Sequence, residues 1–349
     1  MIEPSELIDS SHISVVIQGL THYVEGDENC LFYKCINSIK EYLPNAEIIV
    51  STWKGQECDE TVIDKVIFSS DPGAFSNKVG RVWNYNRMLV STKVGIENST
   101  RQYVLKFRSD IYLSGNNFFL KKEILKKDEG KYLINKNKII ITNLFIRKPD
   151  SYAHLLFHLS DIVQFGLKSD LYNLWCGNLY KKEDVIHELK WKYTFNYLGY
   201  SGERIVPEQA LMIDWLGRAG ISFFLPYATF VNKQYLKDSE LFLNKNFYIV
   251  DWECSGIEFP NRFYKDSLFL KRTTYSAKEI NTIDKYYKNE FLYIFRYLVV
   301  LWNMYVIKFF NIMNLMDFFA TILRLVSPRL FNKVRVIWRA ITFKPPLKK

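Results

Sequence analysis

The sequence predicts a mixed, mainly parallel α/β sheet with helices on both faces, extended by a C-terminal helical tail. Three observations carry that expectation. Over residues 12–150, short β-branched runs alternate with amphipathic stretches through short connections, the pattern of parallel strands joined by crossover helices. The chain has 349 residues, 48% hydrophobic and 24% charged, enough to bury a large core and too apolar for a disordered or fibrous protein. The net charge of +10 is unevenly placed: residues 291–349 hold ten Lys or Arg against the single acid Asp317, whereas the preceding residues are close to neutral. The basic character belongs to the tail.

Taken in order, residues 12–17 form a first β-branched run closed by Gln18-Gly19. Residues 30–42 have helical spacing, with Leu31, Cys35, Ile39 and Leu43 on one side and Pro44 as the stop. Residues 46–51 and 65–68 are the second and third strands, residues 83–97 a helix, and residues 102–107 a fourth strand ending at Arg108-Ser109-Asp110. From residue 131 the pattern changes. Residues 138–146 read as a long strand, and a helix opens at Pro207, where proline suits the first turn. An apolar, aromatic, helical stretch covers 276–326, Ser327-Pro328 breaks it, and a basic helix follows over about 329–343. Residues 1–275 are expected to form one domain, with one half over 12–130 and a second over 131–275; residues 276–349 are the tail.

Arg296, Lys308 and Asp317 interrupt the apolar stretch, leaving no run near the roughly 20 residues that a membrane span needs. Its alternatives are helices packed on the body or a segment lying on an anionic membrane surface, which the basic excess and residues such as Trp302 and Trp338 favour. No basic surface on the body suggests nucleic acid. The five cysteines are scattered without a CxxC pair, which argues against a disulfide scaffold or structural zinc. Residues 1–11 are polar, so no secretory leader is expected.

In a parallel sheet, ligands bind beyond the carboxyl ends of the strands. The residues expected there are Gln18-Gly19, Ser51-Thr52-Trp53, Asp71-Pro72-Gly73 and Arg108-Ser109-Asp110. A carboxylate at Asp110 can hold a divalent cation against a diphosphate, or it can cap the next turn. Asp251 and Glu253 form a rival acidic pair. Arg81, Arg87 and Arg108 can bind a diphosphate or be solvated or structurally paired. Glu208, beside Pro207, is either a general base or an acid stabilised by the helix end. His154 and His158 share helical spacing without a metal motif. GxGxxG, GxxxxGK[ST] and GxSxG are all absent, which disfavours dinucleotide redox chemistry, P-loop hydrolysis and a lipase-like hydrolase.

Several short motifs in order resemble one family. They are Ile17-Gln18-Gly19, the run from Leu43 to Trp53, Asp71-Pro72-Gly73, Asn84-Tyr85-Asn86-Arg87 followed by Ser91-Thr92, and Lys106-Phe107-Arg108-Ser109-Asp110. Ser160-Asp161-Ile162, Phe165-Gly166 and Pro207-Glu208-Gln209 continue the series, covering about residues 13–215. Together they resemble the WavE family of lipopolysaccharide-synthesis proteins. The resemblance implies a GT-A-like, Rossmann-like glycosyltransferase in which Arg108 stands where the first acid of an Asp-x-Asp motif is usual. It implies donor-binding roles for Gln18, Gly19, Thr52, Trp53, Asp71, Asn86, Arg87, Arg108 and Ser109. Glu208 and Asp161 become catalytic candidates, Gln209 an acceptor-side residue, and Asp110 the ligand of Mn²⁺ or Mg²⁺. The expected partners are a nucleotide-diphosphate sugar, a lipid-linked or lipopolysaccharide acceptor and the anionic inner face of the cell membrane, reached from the cytoplasm. A nucleotidyl- or phosphotransferase and a non-catalytic scaffold are the alternatives.

Overall fold

A computed structural model of the chain describes residues 7–76, 82–120, 130–151, 154–186, 203–264, 272–310, 319–320, 322–323 and 326–342. Arg81, named above as a diphosphate candidate, lies outside them. The central sheet uses β1 (Ile13–Gln18), β2 (Glu47–Trp53) and β3 (Lys65–Ser69) from the first part of the chain. A small hairpin of β4 (Phe75–Ser76) and β5 (Val82–Trp83) follows, and then β6 (Tyr103–Arg108) rejoins the sheet. The later strands are β7 (Tyr112–Leu113), β8 (Ile139–Thr142), β9 (Gln164–Leu167), β10 (Phe247–Val250) and β11 (Ile257–Glu258), with β7 and β11 paired apart from the sheet. The seven strands of the sheet lie in the order β10-β8-β9-β6-β1-β2-β3. Every neighbouring pair is parallel except those of β9, which runs against both β6 and β8. The mixed, mainly parallel α/β architecture, consistent with a Rossmann-like fold, is therefore present.

Strand β1 shows why the sheet is covered on both sides. All six of its residues are buried. Ile13, Val15 and Ile17 enter one core with Phe32, Cys35, Ile36 and Ile39 of helix α1 (Leu31–Tyr42). Val16, between them, enters the core on the opposite face, as the two-residue period of a strand requires. Each such fully buried aliphatic side chain contributes roughly 1.5–3 kcal/mol. In α1 the helix and its stop before Pro44 match expectation, but Leu31 is 39% exposed and Phe32 takes the inward position.

Helix α2 (Tyr85–Glu97) covers the second face and lies unusually close to the strands. A Cβ built at Gly95 would sit 2.2 Å from Val16 Cγ1 and 3.2 Å from Ser51 Cβ, so only glycine permits this approach. Helices α3 (Lys168–Trp175), α4 (Pro207–Arg218) and α5 (Lys233–Asn246) complete the same core through Leu171, Trp175, Leu211, Trp215 and Leu236. Pro207 opens α4 as expected.

Two expectations change. The strand read over 138–146 ends at Thr142, because Asn143 turns the chain: its side-chain amide donates to Asp251 Oδ1 at 2.7 Å and to the Tyr275 carbonyl at 3.0 Å. The stretch beginning at residue 276 is also not all tail. Ile280, Ile283, Val300 and Met304 belong to the core, and helix α6 (Glu290–Tyr305) is pinned through a buried charge network. Arg296 donates to Glu240 Oε1 at 2.7 Å and to Asp150 Oδ2 at 2.9 Å. Beyond it, helix α7 (Pro328–Thr342) carries the basic residues. Among the described residues, no helix is long and apolar enough to cross a membrane.

Candidate functional site

The parallel strands β1, β2, β3 and β6 end on one edge, and a cavity of about 350 Å³ opens there. Its walls come from five places in the chain. The end of β1 and the following loop supply Gln18, Gly19, Leu20 and His22, and β2 ends in Trp53. The turn after β3 supplies Asp71, and the first turn of α2 supplies Asn84, Arg87 and Met88. The end of β6 contributes Arg108, Ser109 and Asp110. Gly19 adopts φ +99°, which turns the chain away from the sheet while its N–H still bonds to the Ser51 carbonyl at 3.1 Å. Gln18 is tied to α2, with Ser91 Oγ donating to its Oε1 at 2.8 Å.

Two arginine–carboxylate pairs face this cavity. Arg87 Nε and Nη2 donate to the two oxygens of Asp71 at 2.8 and 2.6 Å. Asp71 is in turn set by the Gly73 N–H, at 2.9 Å. The Arg87 hydrogen bonds hold the Asp71 carboxyl below its ordinary range, and Asp71 raises Arg87. At the other wall, Arg108 Nε and Nη2 donate to Asp110 Oδ1 and Oδ2 at 2.8 and 3.0 Å. The Asp110 side chain is 2% exposed and that of Arg108 27%. Burial alone would lower Arg108; the Asp110 carboxylate outweighs it and holds the guanidinium above its usual value. Each carboxylate takes two of a guanidinium's five N–H donors, leaving three per arginine without a partner among the described residues. Helix α2 also reaches the wall with its N-terminal end, through Asn84, Arg87 and Met88, and Asn84 makes no side-chain capping bond.

This donor set does not fit Mn²⁺ or Mg²⁺. A hard cation needs several free oxygen ligands, and both oxygens of Asp110 are held by Arg108. Among the described residues, no group of three or more His, Cys, Asp or Glu is placed to hold a metal ion. The arginine in the first position of the expected acidic motif is therefore the partner of the acid that follows.

The structure brings Gln18, Gly19, Trp53, Asp71, Arg87, Arg108, Ser109 and Asp110 together, and does not bring the other expected residues to the cavity. Thr52 is fully buried in β2. Asn86 clamps the chain at Tyr180, donating to its carbonyl at 2.9 Å and accepting from its N–H at 3.0 Å. Gln209 is fully buried and donates to the carbonyls of Leu156 and Ala228 at 2.8 and 2.9 Å. Glu208 faces His158 instead, with 3.7 Å between Oε2 and Nε2. Asp161 is buried before β9, where its carbonyl accepts from Lys106 Nζ. Asp251 and Glu253 line a second cavity of about 470 Å³ with Asn143, Trp252 and Glu279, beyond the carboxyl ends of β8 and β10.

Sequence reasoning missed His22. It lies four residues beyond Gln18, inside the loop that leaves β1, and a search for metal-type histidine spacing passes over it. Its position just after a strand end was the available signal.

A mainly parallel sheet of this topology, with a polar cleft on its carboxyl edge, is consistent with the Rossmann-like α/β class. Residues 13–327 match the family described as WavE lipopolysaccharide synthesis, and the chain belongs to that family. Membership implies a role in lipopolysaccharide synthesis. No curated protein matches the chain.

Proposed function

We propose that the protein is a glycosyltransferase that moves a sugar from a nucleotide-diphosphate donor to lipopolysaccharide or a related surface glycan. The observation that carries this reading is the pair of guanidinium groups, Arg87 and Arg108, set by carboxylates around a cleft that also contains Gln18 and Trp53. Trp53 offers a flat apolar surface and Gln18 an amide for a nucleoside. The remaining arginine donors and the first turn of α2 suit a diphosphate, including the negative charge that develops on it as the glycosidic bond breaks. Each arginine–aspartate pair is neutral overall. Attraction to the donor therefore rests on directed N–H groups rather than on net charge.

The test is a panel of UDP-, GDP- and CMP-sugars offered with a lipopolysaccharide-core acceptor. Sugar transfer with release of UDP or GDP, and a rise in melting temperature with that nucleotide, is the expected result. Incorporation of a nucleotidyl or phosphoryl group instead, or no response to any donor, overturns the reading.

We also infer that the protein works on an anionic membrane surface, on the inner face of the cell membrane. On α6, Phe291, Phe295, Leu298, Trp302 and Tyr305 are all exposed at alternating spacings of four and three residues, which places them on one side of the helix. Exposed Leu330, Val334 and Ile337 lie on α7, whose sequence also carries Arg329, Lys333, Arg335 and Arg339. Apolar side chains beside basic ones match an anionic leaflet. Replacing Phe295 and Trp302 together by Glu should abolish flotation with phosphatidylglycerol vesicles while leaving melting unchanged; undiminished flotation removes the assignment.

A further inference from the structure

We propose that His22 is the base that takes the proton from the acceptor hydroxyl. This rests on the transferase reading above and adds to it the group that activates the nucleophile and, with it, transfer with inversion at the anomeric carbon. Glu208, the carboxylate expected in that role, faces His158. The carboxylates that do line the cavity, Asp71 and Asp110, each have both oxygens bonded to an arginine. His22 lines the same cavity, and among the described residues only one of its ring nitrogens has a hydrogen-bond partner.

The local geometry defines which nitrogen that is. Ser109 Oγ donates its one hydrogen to the Leu20 carbonyl, which can only accept. The hydroxyl oxygen therefore accepts from His22 Nδ1–H, at 2.8 Å. In the neutral ring this places the lone pair on Nε2. The arrangement is held from both sides: His22 adopts φ +55°, a left-handed conformation uncommon for residues other than glycine, and such backbone strain concentrates where a side chain must be aimed. Ser109 is thus a positioning residue, fixing the ring through Nδ1 as the third group of a catalytic triad does.

In the step, the acceptor oxygen forms its bond to the anomeric carbon and its proton passes to Nε2. The bond from that carbon to the diphosphate oxygen breaks, and the electron pair leaves with the diphosphate onto the free donors of Arg87 and Arg108. Among the described residues, the charged groups lining this cavity are Asp71 and Arg87 on one wall and Arg108 and Asp110 at the end of β6. They pair off, so the imidazolium that forms meets no unpaired cation among them.

The experiment compares wild type, His22→Asn and Ser109→Ala with UDP- and GDP-sugars and a lipopolysaccharide-core acceptor. Asparagine tolerates the left-handed backbone, so the fold is kept. His22→Asn should lower transfer by about 10²–10⁴-fold while the melting shift given by UDP or GDP stays that of wild type. Ser109→Ala should lower kcat with KM for the donor unchanged, and displace the pH profile of kcat. Transfer by His22→Asn within threefold of wild type, a melting shift lost in step with transfer, or a product that retains the donor's anomeric configuration overturns the proposal and leaves the transferase reading standing. A wild-type protein that neither transfers sugar nor responds to any nucleotide overturns both.

Discussion

Replacing Lys106 by Met should flatten the rise of stability between pH 7 and pH 9. Lys106 sits in β6 two residues before Arg108 and is fully buried, with its ammonium donating to the Asp161 carbonyl and lying 5.2 Å from the centre of the Trp175 ring. Burial pushes it down from 10.5 to about 8, against the nearby Asp161 carboxylate, which raises it. The folded value lies below the unfolded one, so between the two the unfolded chain binds more protons and stability rises with pH. Below pH 8 the buried charge destabilises the fold by about 3 kcal/mol relative to the neutral amine, at 1.36 kcal/mol per pH unit. Of that, about 1 kcal/mol is relieved between pH 7 and pH 9. Urea denaturation of both proteins at the two pH values reads the difference. Loss of the hydrogen bond to Asp161 lowers the variant's stability at every pH, but only the slope reports the ammonium. Equal slopes for wild type and Lys106→Met would refute the reasoning.

Four further outcomes follow from the same geometry. Gly95→Ala forces a methyl into the contact between α2 and β1 and should cost at least about 1–3 kcal/mol, the range for overpacking, seen as a lower urea midpoint; a neutral result would mean that the helix can lift away. Asp110→Asn leaves a half-buried guanidinium without its charge partner and should destabilise by about 2–4 kcal/mol. The same pairing predicts that wild-type sugar transfer continues in excess EDTA, whereas loss of transfer restored by Mn²⁺ would return Asp110 to the role of metal ligand. Glu208→Gln should leave kcat for transfer within a few-fold of wild type, because Glu208 lies outside the cavity; a loss above a hundredfold would restore it as the base.

Much of the fold was legible where local signals and tertiary demands coincide. The β-branched runs of β1, β2 and β6 are apolar enough to be buried on both faces, Pro44 stops α1, and Pro207 opens α4. The cleft residues at the strand ends were legible for the same reason, because small and polar side chains directly follow apolar strands. The rest depended on distant partners. Helix α5 looks too polar to enter a core, with Lys, Asp, Glu and Asn throughout, yet Glu240 is 2% exposed because Arg296, Tyr275 and Tyr287 meet it from 35 to 56 residues away. The same network carries α6 onto the body, which the charge count assigned to a tail. Arg108 reads in sequence as a missing acid; only the structure displays it as the group that occupies Asp110. His22 gains its meaning from Ser109, which the fold brings to it across 87 positions.

The reversed strand β9 has a mechanical consequence for the edge that carries both hollows. Since β9 runs against its neighbours, its beginning reaches that edge, and Gln164 stands level with Lys106 and Ile141. Residues 160–163, which lead into β9, therefore enter the sheet from that edge, between the ends of β6 and β8. The ladders on either side are spaced about 4.8 Å per strand. The ends of β6 and β8 are thereby held about 10 Å apart, two strand spacings, by sheet geometry and not by the swing of a loop.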